Sequence, residues 1–163
     1  MTDHFVPGRI FGGCLATVTA LNLAAPAAAQ NPNAAPAFGT VYLASGFTAD
    51  PRSVPVVAGG PNAASSVSGG CRGYVSAAPT VRLDYSGSGA PLIVSADASA
   101  DTTLLIRAPD GRWYCDDDGG ARGLNPAIRY DPPRAGRYDI WVGSFRAGET
   151  VRARVYFSGS TSQ

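Results

Sequence analysis

Five segments of this 163-residue chain alternate their side chains at a period of two, with glycine- and proline-rich turns between them. Val81, Leu83 and Tyr85 oppose Arg82 and Asp84; Leu92, Val94 and Ala96 oppose Ile93 and Ser95. Ile128 and Tyr130 oppose Arg129 and Asp131; Tyr138, Ile140 and Val142 oppose Asp139 and Trp141. Val151, Ala153, Val155 and Phe157 oppose Arg152, Arg154 and Tyr156, a spacing that would scatter apolar residues around a helix axis. Period two places one face of each segment in a core and the other in water, so these are strands.

The turns are equally specific. In Pro109-Asp110-Gly111 the proline fixes φ at one corner and the glycine accepts positive φ at the next. The result is a tight hairpin between Thr103–Ala108 and Arg112–Cys115. Asp118-Gly119-Gly120 opens a loop that ends at Asn125-Pro126, and Pro132–Gly136 makes a third connection. Gly39–Leu43 and Val54–Val57 add two strands upstream, while Gly59–Asn62 and Ser65–Gly70 form an exposed small-residue connection. About eight or nine strands suffice for two packed sheets, so the expected fold is an all-β antiparallel β-sandwich.

The first 29 residues have the form of a secretory signal peptide. Arg9 supplies positive charge, Ile10–Leu23 an apolar run, and Ala27-Ala28-Ala29 an A-x-A cleavage site before Gln30. The expected layout is leader 1–29, flexible lead-in 30–37, one β-sandwich domain 38–158 and a tail 159–163. The mature protein is then periplasmic or secreted, with no membrane association after cleavage. In an oxidising compartment Cys71 and Cys115 most simply pair, closing a loop of roughly 45 residues worth on the order of 4 kcal/mol. The alternative is a reactive thiol pair, although the two are not in a C-x-x-C arrangement. A net charge of +1 gives no reason to expect nucleic acid as partner.

The downstream half resembles a known family. Asp101–Leu104, Pro109-Asp110-Gly111, Asp116–Gly119, Asn125-Pro126 and Gly136–Gly143 follow the order found in the bacterial pre-peptidase C-terminal domain. Trp113–Asp118 (WYCDDD) and Tyr138–Gly143 (YDIWVG) are similar to a subgroup of small exported bacterial proteins, as are Gly46–Pro51, Ala58–Gly60 and Cys71–Tyr74. The resemblance spans roughly Phe38 to Ser158. It implies a jelly-roll-like sandwich that accompanies secreted peptidases without being one, and related modules that hold calcium in loop carboxylates. Ala78-Pro79-Thr80 departs from the pattern, which would carry an aspartate after the proline.

Several chemistries are excluded after the leader. His4 is the one histidine and lies within residues 1–29, so no Ser-His-Asp or Cys-His arrangement is available. All 13 basic residues are arginine, which removes Ser-Lys and Schiff-base chemistry. A carboxylate-pair hydrolase is open on composition alone, but Glu149 sits in Ala147–Thr150, which reads as an ordinary turn.

Three groups remain as candidate sites. Asp116, Asp117 and Asp118, joined by Asp101 and Asn125, have the oxygen donors that calcium takes; alternatively they form a solvated turn with Arg122 as counter-ion. Trp113 and Trp141 form either an aromatic platform for a ligand or part of the core beside the disulfide. Arg82, Arg107, Arg129, Arg152 and Arg154 occupy outward positions, where they either grip an anionic polymer or pair with Asp84, Asp131 and Asp139. The expected function is a non-enzymatic exported accessory or binding module, with calcium as its candidate cofactor. Its partner is a protein or polysaccharide of the envelope or exterior. The alternative is a structural or envelope-assembly protein acting through protein contacts.

Overall fold

A computed structural model of the chain describes Met1, Thr2 and residues 30–163. The expected signal peptide, with His4 and Cys14, lies outside the described residues apart from those first two. Eleven strands and one 3₁₀ turn follow, with no α-helix among the described residues. In order they are β1 (Thr40–Ala44), β2 (Arg52–Ala58), β3 (Asn62–Ala63), the 3₁₀ turn (Ala64–Ser66), β4 (Tyr74–Val75), β5 (Val81–Ser86), β6 (Leu92–Ala98), β7 (Thr102–Arg107), β8 (Trp113–Asp116), β9 (Ala127–Tyr130), β10 (Gly136–Ser144) and β11 (Val151–Ser158).

The strands make a β-sandwich of a seven-stranded and a four-stranded sheet. Sheet A runs β1-β5-β10, with β7 and then β8 continuing beyond β10 and the short β3-β4 pair extending the edge that β5 leaves. Sheet B runs β2-β11-β6-β9, all antiparallel. From β5 onward the chain changes sheet at every connection except the β7–β8 hairpin, which gives the jelly-roll-like winding. One pair departs from the antiparallel expectation: β1 lies parallel to β5. A parallel pair needs a long crossover, and residues 45–80 supply it through sheet B and the β3-β4 region.

The inward faces form the main core. Val81, Leu83, Tyr138, Ile140, Val142, Leu104 and Ile106 of sheet A meet Leu92, Val94, Val155 and Phe157 of sheet B. The outward face of sheet A is where period two misleads. Asp139 and Trp141, expected in water, are 1% and 0% exposed. Two pieces of chain cover them. Residues 59–75 lay the 3₁₀ turn and β3-β4 over β10, building a second cluster of Ala64, Cys71, Val75, Leu105 and Trp141 with Trp113 packed against it. Of the expected exposed connection, Ser65–Gly70 does face solvent apart from half-buried Val67, whereas Asn62, and Ala64 between the two stretches, are buried. Gly143 makes this approach possible: a Cβ there would lie 2.5 Å from Thr103 Oγ1 and 2.7 Å from the Tyr74 carbonyl oxygen. The Cys71–Cys115 disulfide, with Cα atoms 5.5 Å apart, ties the cover to β8.

The second cover is the segment expected to be a flexible lead-in. Residues 30–37 are instead strapped across β5 and β10. Asn31 N donates to Ala77 O at 2.8 Å, Ala37 N to Pro79 O at 2.9 Å, and Phe38 N to Thr80 O at 2.8 Å. Beneath the strap, Asp139 accepts from Arg82 Nε at 2.8 Å and from Arg137 Nε at 3.0 Å. Arg82 Nη2 also donates to the carbonyls of Pro32 and Ala34, and Arg137 Nη2 to that of Pro32. The two guanidinium groups thus neutralise a buried carboxylate and satisfy the backbone of the strap. The tail is ordered against sheet B in the same way: Gln163 N donates to Ser95 Oγ and Ala121 N to Gln163 O, which buries Ser95 on an outward position.

Removing one member of such a buried pair leaves uncompensated charge. Asp139→Ala is therefore expected to cost about 3–5 kcal/mol in urea unfolding. Arg129→Ala, whose partner Asp131 is half exposed, should cost under about 1 kcal/mol in the same assay.

Candidate binding surface

Of the five residues expected to hold calcium, Asp116 and Asn125 are spent on shaping a loop. Asp116 closes β8, and its Oδ2 accepts from Gly119 N at 2.7 Å and Ala127 N at 2.9 Å, fixing both ends of the turn. Asn125 spends all four of its hydrogen-bonding sites: Oδ1 accepts from Ala98 N and Thr102 Oγ1, while Nδ2 donates to Ala98 O and Arg122 O. Asp117 lies 3.7 Å from Arg72 Nε. Arg122, expected as counter-ion to the aspartates, instead reaches Asp97 at 3.2 Å. Among the described residues no three His, Cys, Asp or Glu side chains converge to hold a metal ion. The donor set does not fit calcium.

Asp101 still feels its neighbours. Burial raises its pKa above 3.8, and Asp118, Asp117 and Glu149 add to the rise while Arg146 opposes it. One carboxylate oxygen is covered with no partner, although the group as a whole sits near the surface. Glu149 itself is half-buried and lies 3.7 Å from Arg146.

The tryptophans do not form a surface platform. Trp141 is fully buried, with Nε1 donating to Ala77 O at 3.4 Å. Trp113 packs on it at 5.3 Å between ring centroids, beside the disulfide. A second aromatic group, Tyr114–Tyr130–Tyr138, lies between the sheets with centroids 5.2 and 5.1 Å apart. Tyr138 OH donates to Arg134 O at 2.7 Å. Burial raises the pKa of both Tyr130 and Tyr138, the latter to about 12, so neither ionises near neutrality.

Among the described residues, the outer face of β2 and β11 in sheet B stays open. Of the five outward arginines, Arg82 is committed to Asp139 and Arg129 to Asp131 at 2.7 Å. Arg107 lies across from Asp139 in the β7–β10 register, on the covered sheet. Arg152 and Arg154 are exposed on β11, and neither makes an ion pair among the described residues. Cross-strand pairing puts Val57 beside Arg152, Pro55 and Asp97 beside Arg154, and Ser53 beside Tyr156. Phe38 closes one side of a shallow recess of about 680 Å³ over these residues. Arg154 Nη1 donates to Ser53 Oγ at 3.1 Å, which steadies it without neutralising it.

One exposed residue escaped the sequence reading. Tyr42, 75% exposed on edge strand β1, forms a row with Asp84 and Arg137 across β5 and β10. These residues line a recess of about 440 Å³. The signal was present in Thr40-Val41-Tyr42-Leu43, where Tyr42 takes the outward phase.

No family model matches the chain, and no curated protein matches it. Among solved structures it is similar to PliG of Aeromonas hydrophila, described as a periplasmic lysozyme inhibitor of g-type lysozyme. The identity is 14%, over 74% of this chain and 96% of that one, with a TM-score of 0.39. That likeness is too loose to bear on fold or function.

Because the folded pKa of Asp101 is raised, its protonated form favours the folded state. That contribution is present below 3.8 and is lost as pH rises through the folded value. Asp101→Asn should therefore raise the melting temperature at neutral pH and leave it unchanged well below 3.8. For the unsubstituted protein, melts in excess calcium and in chelator should superimpose.

Proposed function

We propose that this protein is an exported, non-enzymatic β-sandwich of the pre-peptidase C-terminal type that binds an anionic polymer of the envelope or exterior. The observation that carries this reading is the pair Arg152 and Arg154, exposed and, among the described residues, without ion-pair partners on a broad sheet face that those residues leave uncovered. Residues two apart on a strand share a face and stand about 7 Å apart. Two planar guanidinium groups at that spacing take successive carboxylate or sulfate groups as bidentate partners. Tyr156, Pro55 and Val57 supply apolar contact between them.

Other features support the reading. The Cys71–Cys115 bridge suits an oxidising compartment. The leader-like residues 1–29 provide the route to it. Histidine and lysine are lacking after that segment, and burial keeps Tyr130 and Tyr138 protonated, which removes the histidine- and lysine-based acid–base arrangements. The pre-peptidase motifs fall on one continuous stretch: PDG turns β7 into β8, and YDIWVG forms most of β10.

A second reading, envelope assembly through protein contacts, is favoured by Tyr42 on the free edge of β1. Retention on immobilised alginate against immobilised neutral dextran separates the two. Binding to alginate that weakens with salt, and weakens by about tenfold (about 1.4 kcal/mol) in Arg152→Ala/Arg154→Ala, is the expected result. Tyr42→Ala should leave it unchanged. Equal retention on dextran, or an unaffected double variant, contradicts the proposal.

A further inference from the structure

The residue that follows Ala27-Ala28-Ala29 is Gln30, and the fold treats it as interior: it is 9% exposed. The chain is pinned immediately after it, where Asn31 N bonds Ala77 O, the same carbonyl that accepts from Trp141 Nε1. The Gln30 side-chain amide is nevertheless poorly served. Its Nε2 is covered and has no acceptor. Its Oε1 has only Ser66 Oγ at 3.5 Å, and the single proton of Ser66 already lies toward Ala63 O at 2.7 Å. Turning the amide over gives Nε2 that serine oxygen and orphans Oε1 instead. Buried Asn125, by contrast, satisfies all four of its sites. Asn62 also carries a covered, unpartnered Nδ2, but it has no terminal amine within reach to remove it.

We propose that Gln30 is a modification site: once the leader is cleaved after Ala29, it closes to pyroglutamate. The inference rests on the exported reading above. The α-amine nitrogen attacks the side-chain carbonyl carbon Cδ, the N–Cδ bond forms and the Cδ–Nε2 bond breaks. A proton from the amine passes to the departing nitrogen, which leaves as ammonia, and no oxidant or reductant is needed. The five-membered lactam deletes the covered NH₂ group. It also replaces a charged terminus, which would sit against the Ala77–Trp141 corner, with one neutral N–H, and burial penalises the charged form far more than the neutral one. The lactam carbonyl keeps an acceptor for the strap.

The test is the intact mass and N-terminal peptide of the full chain after expression and export in a bacterial host. A chain that begins at residue 30, is lighter by one ammonia and is opened by pyroglutamyl aminopeptidase supports the proposal. A chain that begins at Gln30 and keeps its amine and amide after prolonged incubation overturns it. A chain that retains its leader, or begins elsewhere, overturns the leader reading instead. Freshly cleaved protein should melt below the lactam form; equal melting would show that the orphaned amide does not favour closure. Gln30→Asn cannot close a five-membered lactam and should keep a free amine at the lower melting temperature.

Discussion

The structure depends on β10 being buried on both faces. A central strand normally gives one face to the core, and β10 does so with Tyr138, Ile140 and Val142. Its other face carries a carboxylate and the largest side chain in the protein, and neither is left in water. A buried carboxylate persists only when paired and hydrogen-bonded, which Arg82 and Arg137 provide for Asp139. A buried indole needs apolar walls and a partner for its N–H; Trp113, the disulfide and Ala77 provide those for Trp141. The strap over residues 30–37 and the cover over residues 59–75 exist to complete these two environments.

This arrangement divides the surface unequally. Among the described residues, sheet A spends most of its outward face on internal packing and keeps the Tyr42–Asp84–Arg137 corner open beyond the strap. Sheet B keeps β2 and β11 open and covers only the β6 side with the C-terminal tail. Charge follows the same division. Arg82 and Arg137 are consumed by Asp139 and strap carbonyls, whereas Arg152 and Arg154 on β11 make no ion pair among the described residues, the Asp97 beside Arg154 being bonded to Arg122. The functional proposal follows from that asymmetry rather than from any cleft, because the recesses over β11 and β1 are shallow.

Much of the fold was legible because period two and turn chemistry are local properties. The PDG turn fixed the β7–β8 hairpin, whose register pairs Arg107 with Trp113, and the alternation in β5 and β11 marks inward and outward residues correctly. Asp139, Trp141, Ser95 and Ile93 failed the same rule because their outward face is covered by distant chain, and alternation cannot see a third layer. The strap was illegible for a related reason. A Pro/Ala-rich segment has no pattern of its own, and its order comes from guanidinium groups on strands roughly fifty and a hundred residues away. The aspartate run showed the donors that calcium prefers, but not that Asp116 and Asn125 would be spent on backbone amides.

The most direct test of this division of surfaces is native-state hydrogen exchange on the domain beginning at Gln30, with and without alginate. Amides at Asn31, Ala37 and Phe38 should be protected, as their bonds to Ala77, Pro79 and Thr80 require. Added alginate should slow exchange in β2 and β11 alone. Rapid exchange at those three amides, or protection by alginate that maps to β1 and β5, would contradict the account.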